Sequence, residues 1–143
     1  PSPLDDLGRE HNFNGEGQYC HDGVLGCAKQ IYKDLERHKI LESLLLSQDA
    51  LYPNYTLRIT GHSLGAGTAT LLGYFMRKTY PDLRVIAISP PGGFITWRLA
   101  TECKGFVTSF VLDSDLVPRL SVNGLERLRD EVLDLIGRIK VPK

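Results

Sequence analysis

Gly61-His62-Ser63-Leu64-Gly65 lies between a β-branched, apolar run (Tyr55 to Thr60) and a stretch of small residues, Ala66, Gly67 and Ala69. Strand, sharp turn and helix in that order, with a glycine two residues to either side of a serine, make a nucleophile elbow. Such a turn lifts Ser63 Oγ above the sheet edge, and Gly61 and Gly65 leave room for strand and helix to pass closely. It also puts the backbone N–H of Leu64 at a helix start, where it can face a developing oxyanion. A serine hydroxyl is a poor nucleophile until geometry and a neighbouring base activate it. The four histidines are His11, His21, His38 and His62, so none follows Ser63. Half of the machinery that an elbow of this kind works with is absent from these 143 residues.

The length allows one domain, and an apolar fraction of 42% is ordinary for a globular core. Seventeen basic residues balance seventeen acidic ones, which removes the electrostatic case for nucleic acid or for an anionic membrane surface. No apolar run approaches the roughly 18–20 residues of a membrane span, and none opens the chain as a signal peptide. The first residue is Pro1 and the only methionine is Met76, which leads us to expect a piece of a longer protein. Cys20, Cys27 and Cys103 form an odd set without metal-ligand spacing. We expect reduced, buried thiols in a cytosol-facing domain.

The first 20 residues, rich in Gly, Asn and Asp, read as irregular. From about Asp22, Val24, Ala28, Ile31 and Leu35 recur at helical spacing, and Leu41, Leu44 and Leu45 continue the pattern after a break near His38. A loop over 47–54 leads to a strand at 55–60, the elbow, and a helix over 64–80 that Pro81 stops. A second strand at 84–89 ends at Pro90-Pro91-Gly92-Gly93, which cannot continue a ladder. A short helix near 96–103 and a third strand at 106–112 follow. Asn123-Gly124-Leu125-Glu126 resembles a capped helix start, and Leu125, Leu128, Val132, Leu135 and Ile139 make one apolar face, which we expect to cover the sheet. The alternation predicts an α/β fold with a parallel sheet and right-handed crossovers. Sites in such sheets gather at the carboxyl ends of the strands, and Ser63, the Pro90 loop and Asp113/Asp115 all fall there.

Hydrolases with an elbow order their triad as Ser, then Asp or Glu, then His. The acid therefore ends a later strand, and it holds the imidazole tautomer and stabilises the imidazolium. Asp113 and Asp115 both qualify; Asp113 sits where a turn cap is common, and Asp115, ahead of the turn fixed by Pro118, is the choice. His62 is a neighbour within the turn and is not assigned as the base. His11 and His38 are expected to be structural or solvent-facing, and His21 a packing and capping element of the first long helix. Phe94 and Trp97, just after the Pro-Pro-Gly-Gly loop, either line an acyl-chain channel or anchor the next helix in the core.

Together these segments resemble the class 3 lipases, and among them the diacylglycerol lipases. The resemblance rests on Ile-Thr-Gly-His-Ser-Leu-Gly-Ala-Gly-Thr-Ala (59–69), Ile-Ser-Pro-Pro-Gly-Gly (88–93), Asp115-Leu116-Val117-Pro118-Arg119, and Cys20-His21-Asp22-Gly23, which is similar to the family's His-x-Gly. It runs from about Asp5 to Lys143. It implies a partial α/β-hydrolase fold over 1–143, with the family's oxyanion strand lying upstream and its catalytic histidine downstream.

The resemblance further implies a serine lipase. Ser63 is its nucleophile, Asp115 its triad acid, and Leu64 its oxyanion N–H donor. The substrate is a diacylglycerol at a membrane surface, cleaved at the outer ester to a 2-monoacylglycerol and a fatty acid. No cofactor is needed for the chemistry, although calcium stimulates enzymes of this kind. The setting implied is the cytosolic face of the plasma membrane, with the remainder of the parent chain as partner. Two alternatives stand beside this: a truncated, non-catalytic isoform serving as a binding or regulatory module, and another glycerolipid acyl hydrolase. With oxyanion strand and histidine both missing, the 143 residues alone are expected to be inactive.

Overall fold

The computed structural model describes residues 1–138, apart from the side chains of residues 122 and 123. A short antiparallel pair, β1 (Ser2–Pro3) with β2 (Tyr19–Cys20), brackets helix α1 (Asp5–His11). Helix α2 (Asp22–Arg37) follows, then a π-helical turn at Glu42–Leu46. The main sheet is β3 (Arg58–His62), β4 (Arg84–Ile88) and β5 (Val107–Phe110), parallel and in the order β3-β4-β5. Helices α3 (Leu64–Met76) and α4 (Trp97–Glu102) make the crossovers, and α5 (Val122–Arg138) closes the described chain.

Why α3 sits at the centre is written in its side chains. From Ala66 to Met76 every residue is buried, because the helix is clamped between the sheet on one side and α2 on the other. Small residues permit that closeness: a Cβ on Gly73 would come within 2.7 Å of both Phe106 and Val85 side chains. The buried hydroxyls stay paired inside the helix, Thr68 Oγ1 donating to the Leu64 carbonyl at 3.0 Å and Thr70 Oγ1 to Ala66 at 2.9 Å. Tyr74, fully buried, donates its hydroxyl to the Leu99 carbonyl at 2.5 Å and meets Phe106 edge-on. The α2 face against α3 is Val24, Leu25 and Ala28, with Tyr32 and Leu35 packed alongside. Ile31 of the expected stripe is exposed, since it lies at the outer margin of that face, beside Val24.

The β4 sequence Arg-Val-Ile-Ala-Ile puts apolar residues on both faces, as strands of a doubly covered parallel sheet do. Val85 and Ala87 are fully buried against α3, whereas Ile86 and Ile88 face outward and stay exposed together with Phe110 of β5. Helix α5 does not supply the missing layer. Leu125, Leu128, Val132 and Leu135 are exposed, so the expected packing of this helix over the sheet is corrected. The helix begins at Val122 rather than Asn123; the Asn123 side chain and Ile139 lie outside the described residues.

The N-terminal 20 residues are ordered rather than irregular. Leu4 and Leu7 carry α1 into the core, and Asn12, with φ of 55°, ends that helix in the left-handed region. His11 is structural as expected: it is buried, stacked on Phe75 at 4.5 Å, with Nδ1 3.2 Å from the Phe75 carbonyl. Strand β3 begins at Arg58, three residues later than the β-branched run suggests, and α3 stops four residues short of Tyr80. Of the three cysteines Cys20 and Cys103 are buried thiols, and burial pushes Cys20 up to about 11. Cys27 is exposed, against expectation, because it sits on the outer side of α2.

Candidate active site

Shortly after each of the three main strands the chain passes through a backbone conformation that L-residues rarely adopt. Among the described residues, five non-glycine residues have positive φ, and three of them follow the carboxyl ends of β3, β4 and β5: Ser63 (φ 53°), Ser89 (φ 48°) and Asp113 (φ 37°). Strain of this kind persists only where the surroundings over-determine it, and it collects at functional sites. The surroundings are visible here. Ser63 donates its N–H to the Ile88 carbonyl at 2.9 Å, and Ser89 donates to Phe110 at 2.8 Å. The ladder is thus extended one residue past β3 and β4 before the chain turns.

Ser63, half-buried at φ 53° and ψ −122°, stands at the corner between β3 and α3. The tightness of that corner comes from Gly61, whose absent Cβ would lie 2.2 Å from the Gly65 carbonyl oxygen. The reciprocal expectation for Gly65 is corrected: a Cβ there meets nothing within 4 Å. The Ser63 carbonyl accepts from Ala66 and Gly67 at 2.9 and 3.3 Å. Leu64 occupies the first position of α3, where backbone N–H groups have no intrahelical acceptor.

Asp115 lies in the loop after β5. Its Oδ1 accepts the Val117 N–H at 3.0 Å. The carboxyl is held below the usual carboxylate range, first by the nearby Ser89 hydroxyl, then by the Val117 N–H, with the charges of His62 and Arg119 adding smaller contributions. Asp113 is exposed, at the strained turn itself. The Pro-Pro-Gly-Gly loop is tied to the same place, since Gly92 donates its N–H to the Val117 carbonyl at 3.1 Å. The ends of all three strands therefore converge on Ser63, Ser89 and the Asp115 loop.

Other expectations divide. His21 holds the N-cap position of α2, its N–H donating to the Phe94 carbonyl at 2.8 Å, yet its side chain caps nothing and is exposed. The packing and capping role given to that imidazole is corrected. His38 is exposed, 3.6 Å from Asp34. Phe94 packs on the core, within reach of Gly67, whereas Trp97 is 83% exposed at the start of α4 and anchors nothing. Behind the loop, a cavity of about 200 Å³ opens between Phe94, Ile95, Cys103 and Val107. Among the described residues no three His, Cys, Asp or Glu side chains gather as a metal site, and no helix is long and apolar enough to cross a membrane.

Ser89 and Arg119 are the residues that sequence reasoning passed over. A signal existed for Ser89: it ends the strand between the elbow strand and the acid strand, one residue beyond the ladder. For Arg119 the hint was its place at the end of the Asp115–Arg119 segment, directly after Pro118.

The family model for Lipase (class 3) matches residues 4–124. The chain belongs to the class 3 lipases. It is 40% identical over 126 residues to human diacylglycerol lipase-alpha, covering 86% of this chain and 12% of that protein. With mouse diacylglycerol lipase-beta the identity is 38% over 124 residues, covering 87% and 18%. This class 3 lipase chain thus spans about an eighth of the length of the first of these relatives. The crystal structure of a lipase from Rhizopus microsporus var. chinensis shares the fold, with a TM-score of 0.60 at 24% identity, over 76% of this chain and 38% of that one. The three parallel strands and their helices are accordingly part of an α/β-hydrolase fold.

Proposed function

We propose that these residues belong to a serine lipase that hydrolyses the outer (sn-1) ester of diacylglycerol, with Ser63 as nucleophile and Asp115 as triad acid. The single observation that carries the reading is the backbone of Ser63, strained at the β3–α3 corner, at the same carboxyl edge of the parallel sheet from which β5 runs into the Asp115 loop. The similarity to diacylglycerol lipase-alpha and -beta supports the substrate class.

In this mechanism Ser63 Oγ adds to the ester carbonyl carbon as its proton passes to a histidine base. The Leu64 N–H donates to the oxyanion. Collapse breaks the bond to the glycerol oxygen, which takes that proton and leaves as 2-monoacylglycerol. Water then adds to the acyl-enzyme, and the fatty acid departs as Ser63 regains its proton. Asp115 keeps the imidazole in the required tautomer and stabilises the imidazolium. None of this chain's histidines suits the role: His11 is buried on Phe75, His21 and His38 sit at the two ends of α2, and His62 adjoins the nucleophile in sequence. We propose that the base comes from a segment of a longer parent chain outside these 143 residues. The setting we propose is a membrane surface where diacylglycerol is presented, on the cytosolic side.

Labelling with a serine-reactive fluorophosphonate tests this directly. The full-length protein should label and its Ser63→Ala variant should not, while the 143-residue chain alone stays unlabelled. Undiminished labelling of full-length Ser63→Ala would remove Ser63 from the mechanism. Release of free fatty acid from sn-1-labelled diacylglycerol, against acyl-CoA and monoacylglycerol as competitors, tests the substrate.

A further inference from the structure

We infer that Arg119 is a positioning residue that sets the geometry of the Asp115 loop for turnover, an inference resting on the assignment of Asp115 as triad acid. The loop from Val111 to Leu116 has little packing to hold it. Val111, Leu112, Asp113 and Leu116 are all exposed, Leu112 to 83%, and Asp113 sits at a strained φ of 37°. A carboxylate that orients an imidazole needs a fixed position, because a misplacement of about 1 Å costs on the order of 100-fold in rate. Something other than burial must therefore hold the loop.

The guanidinium of Arg119 does so from below. Nη2 donates to the Asp113 carbonyl at 2.8 Å, and Nη1 donates to the Asp115 carbonyl. One rigid, planar group thus joins the main chain on both sides of Ser114. Its own backbone is fixed in turn by Pro118 before it and by its N–H to the Leu116 carbonyl at 2.9 Å. Both bonds run to main-chain oxygens, so what Arg119 fixes is the path of the backbone. The side chain of Asp115 is left free to accept from Val117 N–H. A lysine could not replace this fork: an ammonium on a flexible stem lacks the planar pair of donors that spans two carbonyls.

The test uses the full-length protein, a soluble activated ester and diacylglycerol, and the variants Arg119→Ala, Arg119→Lys, Asp115→Asn and the double variant Arg119→Ala/Asp115→Asn. We expect Arg119→Ala to lower kcat by about 10–100-fold with KM unchanged, and Arg119→Lys to lose nearly as much although it keeps the charge. Guanidinium ion added to Arg119→Ala should restore part of kcat, and ammonium should not. In the Asp115→Asn background, Arg119→Ala should cost nothing further, since there is no acid left to position. Wild-type kcat in Arg119→Ala beside an inactive Asp115→Asn would overturn the role of Arg119 alone. So would an equal further loss in the double variant, which marks general damage to the fold. Full activity of Asp115→Asn would overturn the assignment of the acid and this inference with it. Should Arg119→Ala fail to fold, Arg119→Lys decides the matter by its kcat: undiminished turnover there overturns the inference.

Discussion

Gly92 and Val117 are joined by a 3.1 Å hydrogen bond that exists only because Gly92 has no side chain. A Cβ on Gly92 would lie 2.3 Å from the Leu120 carbonyl oxygen and 2.5 Å from that of Pro118. Both are backbone atoms and cannot swing aside. Gly92→Ala should push the loop after β4 away from the Asp115 loop, costing about 1–3 kcal/mol or somewhat more. Urea unfolding of the full-length variant checks the stability. Fluorophosphonate labelling checks the site, and we expect it to slow more than the stability loss alone explains.

The two glycines of the elbow should behave differently. Gly61→Ala brings a Cβ to 2.2 Å from the Gly65 carbonyl oxygen and forces strand and helix apart, so little folded protein is expected. Gly65→Ala meets open space and replaces a helical glycine, with an intrinsic gain of about 1 kcal/mol. Soluble yield and unfolding midpoint of the two variants in the full-length protein give the comparison. Equal tolerance would mean that the corner relaxes more easily than its contacts imply.

Ser63 is held at a backbone conformation that costs an L-residue about 1–3 kcal/mol. Glycine adopts that region freely but loses more chain entropy on folding, about 0.5–1 kcal/mol. Ser63→Gly should therefore be more stable than the wild type by about 1 kcal/mol and inactive, while Ser63→Ala, which keeps a Cβ, is inactive without the gain. Thermal unfolding of the three proteins side by side measures it. A Ser63→Gly variant no more stable than Ser63→Ala would show that the strain has another source.

Asp115 carries a pH signature. Its carboxyl lies below the usual carboxylate range because the nearby Ser89 hydroxyl and the Val117 N–H favour the charged form. A carboxyl depressed on folding adds stability above its unfolded pKa, and that stability is lost as pH falls through the folded value. The stability difference between wild type and Asp115→Asn should hold constant at neutral pH and shrink below about pH 4. Ser89→Ala, which deletes the largest cause, should move the fall to higher pH. A difference that stays flat down to the lowest workable pH would mean that Asp115 gains nothing from these donors.

How far the sequence carried can be seen residue by residue. Period and punctuation placed α2, α3 and the three strands, because apolar spacing and the prolines act locally. The elbow at Ser63 was legible for the same reason: turn, strand and helix are contiguous. The placement of Ser89 near the Asp115 loop was not, since it joins segments 26 residues apart across neighbouring strands and depends on register. Helix α1 was hidden because Gly8, inside it, reads as a breaker; in the fold Gly8 is demanded by Gly15, whose N a Cβ would approach to 2.6 Å. The orientation of α5 was misjudged because an apolar stripe shows that a helix wants a partner and is silent on which one.

That stripe and the bare sheet face lead to the last prediction. Ile86, Ile88 and Phe110 expose one apolar face of the sheet, and Leu125, Leu128 and Leu135 expose another on α5. Both edges of the sheet, β3 and β5, are unpaired among the described residues. Contiguous apolar faces and open edges drive association in water. The 143-residue chain alone should run as oligomers at micromolar concentration in size-exclusion chromatography. Ile88→Thr with Phe110→Thr should shift it toward monomer if the sheet face drives association, and Leu128→Glu with Leu135→Glu should do so if α5 does. A wild-type chain that is monomeric and unfolds cooperatively would show that these faces are less adhesive than their apolar content requires.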